Sequence, residues 1–594
     1  MADERPYVHA TAAAEVESWL AEVSGARMVA VDTETSGWDP HQDRLLLVQV
    51  AAGPEHPVLV LDAGRVDPRA LAPLFTDPAA LKVFHHAAFD LRFLAEAGVR
   101  VHRVADTMLA QQLLDGGEKS AAGLGLADLA SFRLGLELDK SVRDTFAAAG
   151  GRTAAQLRYA ADDAWATWGV FDQQWRELVG HGLVRVAKLE FAALPVLADL
   201  QHRGVAFDAD RWLEVVGGLE SDLPALHDRV QELLVTDDSP RTLFGPEPVN
   251  LEAHERVREA LARLGIDVET TREHVLRDHA AHPAVAALLE YRQVAKVTSY
   301  WGGDWARRVA HPLTGRIHAD WRQIVGAGRI ACSDPNLTQV PKHARYRACF
   351  GGEPGRACVV ADYSQQELRI LAAVAGDAAL AEVFRSGGDL HRATAAVVFD
   401  TTEDAVMPEQ RAAAKQLNFG LMYGMGAPGF ARATGMSVQR ARETMDRYFA
   451  TFPQVAAWLQ ETEATARRSG AVRTLLGRTK KTGTAPAPTL ARNAPIQGAG
   501  ADMTKLALAE VERRFAQRFG TVARGVRPDG LVLVIHDELV ADVPADAAEE
   551  ARGLVTEGML AAAGEVLGDV PAGVDAVVRE RWGALEPTAS VAPG

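Results

Sequence analysis

The stretch that decides the fold runs from Val359 to Arg369 and reads VVADYSQQELR. Its first residues are an apolar run typical of a buried strand, and Asp362 stands where that strand ends and a helical pattern begins. Ser364 and Glu367 have the spacing of a capping box, which by itself explains both as residues that initiate a helix. It does not explain Asp362, because a carboxylate at the end of an apolar strand is placed where a cation can meet it.

A second acidic stretch lies far downstream, from Leu531 to Val540, and reads LVLVIHDELV. Two β-type runs flank a polar turn, which predicts a hairpin with Asp537 and Glu538 at its tip. The apolar flanks favour a buried hairpin, in which ionised acids need cations, over a solvated one.

Between these stretches, Arg411, Lys415, Phe419 and Tyr423 follow one another at intervals of four residues. Steps of four drift slowly around a helix, so two cations and then two aromatic rings form one slanted stripe. Such a stripe suits a nucleoside triphosphate, whose phosphates meet the cations and whose base meets a ring. The structural alternative is a stripe used only for packing.

The first 175 or so residues alternate strand and helix patterns, which predicts an α/β domain. Asp32 and Glu34 close one of its strands two residues apart, so both side chains leave the same face and can share a divalent ion. Charged residues that close a strand are common, so this pair alone is a weak signal.

Two further segments, HHAAFD at residues 85–90 and YAADD at residues 159–163, change that interpretation. Together with the first pair they resemble the three motifs of the DEDD exonuclease family, in the subgroup with Tyr four residues before the last Asp. The resemblance implies that Tyr159 helps to position an attacking water and that four carboxylates hold two Mg²⁺ or Mn²⁺ ions: Asp32, Glu34, Asp90 and Asp163. The alternative is that Asp90 caps a helix and Tyr159 is a core residue.

That resemblance has one departure. The family's second motif often has Asn where this chain has His86, which bears on the orientation of the bound 3′ strand and not on the metal site.

The segments around Asp362, the stripe and the hairpin resemble the A, B and C motifs of family A DNA polymerases, in that order. This resemblance implies that Asp362 and Asp537 bind two Mg²⁺, with Glu538 beside them, and that Lys415 can protonate the pyrophosphate leaving group. It assigns contacts with the incoming dNTP to seven residues: Arg411, Lys415, Phe419, Tyr423, His391, Glu367 and Gln366.

The same resemblance makes Glu367 a steric gate against a ribose 2′-hydroxyl, and it makes Phe419 a residue that discriminates against dideoxynucleotides. The short segment 482–489, with Thr489 where relatives often have Arg, implies a different grip on the template. The resemblance assigns contacts with primer-template DNA to five residues: Arg329, Gln365, Asn493, Gln497 and His536. A run of basic side chains without acids adds Arg478 and Lys480 as candidate phosphate contacts.

The predicted fold is multidomain, α/β and α+β: an RNase H-like 3′-5′ exonuclease domain followed by a right-hand polymerase. No room is expected for a 5′ nuclease domain ahead of the first strand. The predicted boundaries are residues 1–178 for the exonuclease, 179–316 for a helical connector and thumb, 317–377 for the first part of the palm, 378–490 for the fingers, and 491–594 for the second part of the palm with the C-terminal tail.

The 594 residues carry 79 acids and 63 Lys or Arg side chains, a net charge of −16. That charge argues against indiscriminate nucleic-acid binding, so a DNA site has to be a local basic groove. Cys332, Cys349 and Cys358 lack C-x-x-C spacing, which argues against a structural zinc site. No apolar run reaches the roughly 18 residues of a membrane helix, and the N-terminus has no signal pattern. We expect a cytoplasmic monomer, in a bacterial cell or a phage-infected host.

The sequence leaves several functions open. The hypothesis that uses both sets of motifs is a polymerase that proofreads and extends primers in replication. A repair or damage-tolerance polymerase of the same fold, a nuclease alone and a non-catalytic DNA-binding scaffold are the alternatives. The partners follow from the first reading: primer-template DNA, dNTPs and single-stranded 3′ ends, with any processivity factor unknown.

Overall fold

The computed structural model describes residues 6–146 and 152–583, so the predicted C-terminal tail lies outside the described residues. The chain divides into two compact units, each assembled from three stretches: residues 1–204, 318–339 and 354–580 in the first, and residues 205–317, 340–353 and 581–594 in the second.

A six-stranded mixed sheet with flanking helices forms the N-terminal part of the first unit. Its strands are β1 Tyr7–Ala10, β2 Met28–Thr35, β3 Leu45–Ala51, β4 Val58–Asp62, β5 Leu81–Phe84 and β6 Val104–Asp106. Its helices are α1 Ala13–Glu22, α2 Ala72–Phe75, α3 Ala87–Glu96, α4 Thr107–Asp115, α5 Leu126–Leu134 and α6 Ala154–Gly180.

The strand order is β1-β4-β3-β2-β5-β6, so β2 lies inside the sheet between β3 and β5. β2 is antiparallel to β3 and parallel to β5. Its alternation leaves Val29 and Val31 fully buried, and Asp32 and Glu34 on one face near its end. Helix α6 begins with a capping box of Thr153 and Gln156 and packs against the sheet.

Helix α7, Val184–Arg203, links the N-terminal sheet to the rest of the first unit. It packs on α3 and β6 on one side and on α21, Pro488–Phe519, on the other. Most of its side chains are buried, including the carboxylate of Glu190. The predicted boundary between residues 178 and 179 falls in the last turn of α6, ahead of this helix.

The second unit is mainly helical, and two long helices, α8 and α11, pack along each other in it. Its elements within residues 205–353 are β7 Val205–Ala206, α8 Ala209–Leu234, β8 Arg241–Thr242, β9 Gly245–Pro246, α9 His254–Arg263, α10 Glu273–Arg277, α11 Pro283–Trp301, α12 Gly303–Val309, β10 Arg316–Ile317 and α13 Ala344–Arg347. Aromatic side chains fill one end of it, where Trp212 contacts Trp301, Trp305 and Phe350.

A four-stranded antiparallel sheet, in the order β16-β17-β13-β18, forms the other core of the first unit. The strands of this part are β11 Asp320–Val325, β12 Arg329–Ser333, β13 Arg356–Tyr363, β14 Ala471–Arg473, β15 Thr479–Lys481, β16 Gly530–Ile535, β17 Glu538–Pro544 and β18 Val574–Arg579. The long helices α21 and α22, Ala548–Leu567, pack on each other and on this sheet.

A helical block separates β13 from β16 in the sequence, as the periodicity predicts. It consists of α14 Gln366–Ala375, α15 Ala378–Arg385, α16 Leu390–Val398, α17 Pro408–Met422, α18 Ala427–Thr434, α19 Val438–Thr451 and α20 Pro453–Ser469. In the part of the chain that the structure describes, no helix combines the length and the apolar character that crossing a membrane requires.

Candidate active sites

The first site forms where β2 meets α6. Asp32 and Glu34 leave the same face of β2, and Asp163 projects from α6. One carboxylate oxygen from each of the three lies within 4.8 Å of the others. An oxygen-only donor set at this spacing fits a hard divalent cation.

Asp90, on α3, completes the group of four predicted carboxylates and is only 3% exposed. Its Oδ1 accepts a hydrogen bond from the hydroxyl of Thr33 at 2.6 Å, so it faces the same strand end. Burial, opposed in part by this hydrogen bond, raises the pKa of Asp90 to about 7. The helix-cap alternative therefore does not describe this side chain, which lies under the cluster.

Like charge dominates the site. Burial first, and then the neighbouring Asp90, Glu34 and Asp163, raises the pKa of Asp32 well above its usual range. Burial, and then Asp163, Glu34 and Asp32, raises the pKa of Tyr159, whose hydroxyl hydrogen-bonds Asp163. The carboxylates cannot all ionise together at low cost, so a cation among them would offset their repulsion.

The carboxylates open into a cleft of about 520 Å³. Trp38, 71% exposed, meets Phe89 edge to face at 5.6 Å between ring centroids, and both rings line the cleft. An exposed indole beside a carboxylate site is a platform on which an unpaired base can stack. Sequence reasoning missed Trp38, although its place four residues after Glu34 was a usable signal.

His86 is exposed at the mouth of this cleft and is the N-cap of α3, with φ of 64°. Asn and His are among the side chains that tolerate this left-handed backbone, so the departure at His86 preserves the turn.

Asp106 is a second residue that sequence reasoning missed, and it anchors the start of α3. Its buried carboxylate accepts the N–H of Ala87 at 2.6 Å and the N–H of Leu109 at 2.8 Å.

The second site forms on the four-stranded sheet. The β16–β17 hairpin turns through His536 and Asp537, as predicted, with His536 at φ of 61°. Asp362, at the end of β13, lies directly opposite Glu538 in the β13–β17 register. Desolvation, then Asp537 and Glu538, raises the pKa of Asp362 to about 7. These three acids therefore meet at the end of the sheet.

The predicted stripe lies on α17, with Tyr423 at its C-cap. Nε of Arg411 donates to Oδ2 of Asp389 at 2.6 Å, and Asp389 also caps α16 through the N–H of His391 and of Arg392. The ring of His391 lies 5.8 Å from that of Phe419. The structure thus brings His391 to the stripe, while Lys415 is exposed beside it.

Glu367 does not take part in a capping box, so that interpretation of Ser364 and Glu367 is wrong. Helix α14 begins after Gln365, which adopts a left-handed conformation and offers no side-chain cap. The Ser364 hydroxyl hydrogen-bonds Asp575 instead. Both carboxylate oxygens of Glu367 accept from the Tyr423 hydroxyl, at 2.9 and 3.1 Å, which joins α14 to the stripe.

Several of the predicted DNA contacts lie near this pair. Nη2 of Arg329 donates to Oε1 of Gln497 at 2.8 Å, and Tyr423 also interacts with Gln497. Asn493 lies one turn before Gln497 on α21, and His536 is exposed on the hairpin. Oε1 of Gln365 is buried and makes no hydrogen bond with any residue the structure describes.

Arg478 is not available for a DNA contact in this structure. Its side chain is 4% exposed, and its guanidinium binds Asp502 at 2.7 Å and also Glu190. Lys505 Nζ reaches the same Glu190 oxygen at 2.6 Å, so two cations share two acids in a buried network. Asp502 and Lys505 lie on α21 and Glu190 on α7, so we assign Arg478 a structural role in place of the expected phosphate contact.

Gln366 and Lys480 also differ from expectation. The Gln366 side chain is 9% exposed and donates to the carbonyl of Gly500 at 3.4 Å, on the side of α14 that packs against α21. It therefore does not reach a nucleotide beside Glu367. Nζ of Lys480 donates to the carbonyl of Gly117 at 2.6 Å, which ties the β14–β15 hairpin to the N-terminal part of the chain.

The protein has two separate carboxylate centres, each of a kind that holds divalent cations. It therefore belongs to the class of proteins with two divalent-metal sites. Comparison with known families identifies it further. The family described as DNA polymerase family A matches residues 228–584, and the family described as 3′-5′ exonuclease matches residues 7–179. The chain therefore belongs to DNA polymerase family A and carries a 3′-5′ exonuclease domain, which confirms the family that the motifs predict. Both families depend on divalent metal ions.

The chain is similar to DNA polymerase I of Pseudomonas aeruginosa, with 33% identity over 614 aligned residues that cover 95% of this chain and 64% of that protein. DNA polymerase I of Chloroflexus aurantiacus is 31% identical, with 98% and 63% covered. The chain thus spans less than two thirds of the length of these relatives.

Among solved structures, the POL domain of Pol1 from M. smegmatis, in complex with DNA primer-template and dNTP, superposes with a TM-score of 0.81 and 26% identity. The match covers 97% of this chain and 99% of that one, which confirms the predicted fold class.

Neutralising one acid of the first site should stabilise the metal-free protein. The raised pKa of Asp32 means that the native state binds more protons than the unfolded chain, so stability falls as pH rises from about 4 through the raised value. In EDTA at pH 8, the melting temperature of Asp32→Asn should therefore exceed that of the parent by about 2 °C. This difference in melting temperature should become smaller toward pH 5. Calorimetry of both proteins measures it.

Glu17→Gln, on an exposed helix face, is the matched control and should show no such pH-dependent gap. Mg²⁺ should raise the melting temperature of the parent more than that of Asp32→Asn. A gap that is the same at both pH values would contradict the electrostatic interpretation.

Arg478→Met should destabilise the fold, because it leaves Asp502 and Glu190 with one buried cation between them. Breaking a buried ion network costs about 3–5 kcal/mol, whereas removing an exposed ion pair costs about 1 kcal/mol or less. Arg467→Met, which removes a surface pair with Glu463, is the control. Denaturant unfolding distinguishes them; an unchanged midpoint for Arg478→Met together with weaker DNA binding would restore the direct phosphate contact.

Proposed function

We propose that this chain is a DNA-directed DNA polymerase that extends a primer on a DNA template with dNTPs and proofreads by 3′-5′ exonuclease action. One observation carries the proposal: two carboxylate centres lie on different sheets, and the second is linked through Glu367 to a helix with two cations and two rings. A nuclease alone has no use for that helix. A scaffold has no use for acids whose repulsion opposes folding.

The carboxylates of both centres fit divalent cations, for which we propose two Mg²⁺ per centre with Mn²⁺ as a substitute. The ligands would be Asp362 and Asp537, beside Glu538, in the polymerase centre, and Asp32, Glu34, Asp90 and Asp163 in the exonuclease centre. When bound, such ions lower the pKa of the attacking hydroxyl or water and neutralise charge on the reacting phosphate. The repulsion among the acids in this structure supports the assignment.

Arg411, Lys415 and His391 would hold the triphosphate. Burial first, together with the two cations, lowers the pKa of His391, so its imidazole is neutral near pH 7. The amide of Asn418 lies 3.1 Å from Nδ1 of His391. Donation by that amide leaves Nε2–H as the donor that can meet a phosphate oxygen. Lys415 is exposed beside it, where it can give a proton to the departing pyrophosphate.

Phe419 would stack beside the nucleotide, and Tyr423 would meet the templating base. The Tyr423 hydroxyl holds the Glu367 carboxylate in one orientation by donating to both of its oxygens. A carboxylate fixed in this way can crowd a 2′-hydroxyl more effectively than a mobile one, which supports Glu367 as the gate. Arg329 and Gln497, joined to each other, would contact the primer-template beyond it.

In the exonuclease centre, Tyr159 would orient the attacking water through its contact with Asp163. Trp38 and Phe89 would stack with the terminal bases of a single strand in the cleft. A mispaired 3′ end is partly unstacked already, so it can leave the duplex at lower cost than a paired end.

The domain limits predicted from the sequence remain our proposal for how this activity divides along the chain. Its partners would be primer-template DNA, dNTPs and single-stranded 3′ ends. The protein would act as a monomer. The activity would belong in the cytoplasm of a bacterial cell or a phage-infected host.

The two activities should separate by mutation. Asp362→Ala should lower dNTP incorporation by at least about 100-fold while 3′ degradation persists, and Asp32→Ala with Glu34→Ala should do the reverse. The measurement is a primer-extension gel on a 5′-labelled primer-template with Mg²⁺, with and without the four dNTPs. Asp546→Ala, an exposed acid just beyond β17, is the control and should retain both activities.

Loss of both activities in either variant, with folding intact, would contradict the assignment of two centres. Shortening of the primer under both conditions by the parent protein would support a nuclease alone. No change to the primer, by a folded protein that binds the duplex, would support a scaffold.

Glu367→Ala should lower discrimination between deoxynucleotides and ribonucleotides, by roughly 10- to 200-fold, because the side chain that crowds the 2′-hydroxyl is gone. Tyr423→Phe, which removes only the hydroxyl that orients Glu367, should give a smaller loss of the same kind. Single-nucleotide incorporation with each rNTP and dNTP measures it. An unchanged ratio in Glu367→Ala would exclude the gate.

A further inference from the structure

A cluster of three histidines and a glutamate lies away from both carboxylate centres. His41 follows β2 in a loop, Glu96 ends α3, His202 is the penultimate residue of α7, and His318 precedes β11. One ligand atom each from His41, Glu96 and His202 lies within 4.8 Å of the others. The His318 ring lies 4.7 Å from that of His41 between centroids.

The backbone contacts select the tautomers of two of these rings. Nε2 of His41 lies 3.2 Å from the carbonyl oxygen of His202, and Nδ1 of His318 lies 3.0 Å from that of Gln201. A carbonyl oxygen only accepts, so each of these nitrogens carries the proton. The other nitrogen of the His41 ring, Nδ1, faces Oε1 of Glu96 at 3.9 Å. Donation of one ring N–H to a carbonyl is the usual support of a metal-binding histidine.

The third ring is the most enclosed. His202 is 5% exposed, and its Nε2 lies 2.8 Å from Oε1 of Glu96 yet makes no hydrogen bond with any described residue. A buried ring nitrogen that faces a carboxylate oxygen at this distance, without an aligned hydrogen bond, fits two ligands of one ion.

We propose that His41, His202 and Glu96 form a binding site for a single late first-row divalent ion, of which Zn²⁺ is the prime example. Two imidazoles and a carboxylate suit Zn²⁺, Ni²⁺ or Co²⁺, whereas Mg²⁺ prefers oxygen donors alone. Ligand atoms around a tetrahedral ion with bonds of 2.0–2.1 Å lie roughly 3.3 Å apart. The distances from Glu96 Oε1 to His202 Nε2 and His41 Nδ1, 2.8 and 3.9 Å, bracket that spacing.

The nearby cations are accommodated elsewhere. Arg524 approaches the other oxygen of Glu96, Oε2, at 3.4 Å, which leaves Oε1 toward the histidines. Arg100 pairs with Asp199 and donates to the carbonyl of Gly525. Arg92 donates to the carbonyl of Ala88. The site would join the exonuclease segment, through His41 and Glu96, to α7, through His202, as a structural staple.

Cobalt binding tests the site directly. The full chain carrying Asp32→Ala and Glu34→Ala, in excess Mg²⁺, is titrated with Co²⁺ and followed by visible absorption. Four-coordinate Co²⁺ with nitrogen donors gives intense d–d bands, whereas six-coordinate Co²⁺ in an oxygen-only site gives weak ones. We expect one intense Co²⁺ equivalent per chain, displaced by Zn²⁺, and a rise in melting temperature with Zn²⁺.

His41→Gln and Glu96→Gln should each weaken this binding by at least roughly 10-fold and abolish the Zn²⁺-dependent rise in melting temperature. His274→Gln, an exposed histidine elsewhere, is the control and should change neither. Both test variants replace residues less buried than His202, so the test does not depend on a folded His202 variant. Absence of intense bands, or equal binding by His41→Gln, would overturn the proposal and leave an ion pair of His202 with Glu96.

Discussion

Repulsion among carboxylates is the constraint on which the rest of this structure depends. Asp32, Glu34, Asp90 and Asp163 meet at the end of one sheet, and Asp362 meets Asp537 and Glu538 at the end of another. Each group costs folding free energy while it is without a cation, because desolvated like charges oppose one another. The surrounding structure supplies what holds them: strands that fix their direction, α6 with its capping box, and α3, whose first N–H is bound by Asp106.

The need to neutralise acidic side chains also explains where several cationic side chains lie. Arg478 and Lys505 neutralise Glu190 and Asp502 in a buried network that joins α7, the β14–β15 hairpin and α21. Arg411 is paired with Asp389, which orients it. In a chain with a net charge of −16, some basic residues are thus used in internal ion pairs. The other basic residues have to form a local site if the chain is to bind DNA.

The sequence predicts best what depends on neighbours along the chain. Asp362 at a strand end, the His536–Asp537 turn and the stripe on α17 follow from local periodicity, and the structure has all three. It predicts poorly what depends on distant partners. Arg478 looked like a phosphate contact because nothing near it in sequence indicates Glu190, 288 residues away. Ser364 and Glu367 had the spacing of a capping box, but Asp575 and Tyr423 take their hydrogen bonds. Trp38 and Asp106 gained roles only once the cleft and α3 were in place.

The histidine cluster is another feature that the sequence does not predict, because its residues are distant from one another along the chain. Sequence reasoning about structural zinc rests on cysteine spacing, and the three cysteines of this chain are buried and scattered. His41, Glu96, His202 and His318 lie on four segments that only the packing of α7 against α3 and β11 brings together. The buried face of α7, which packs on α3 and β6, sets the position of the N-terminal sheet relative to the rest of the first unit. Polar contacts add to it, among them Lys480 with Gly117, Arg100 with Gly525 and this cluster. A metal ion bound by His41, Glu96 and His202 would therefore tie α3 to α7 at one more point, beside an interface that is already packed.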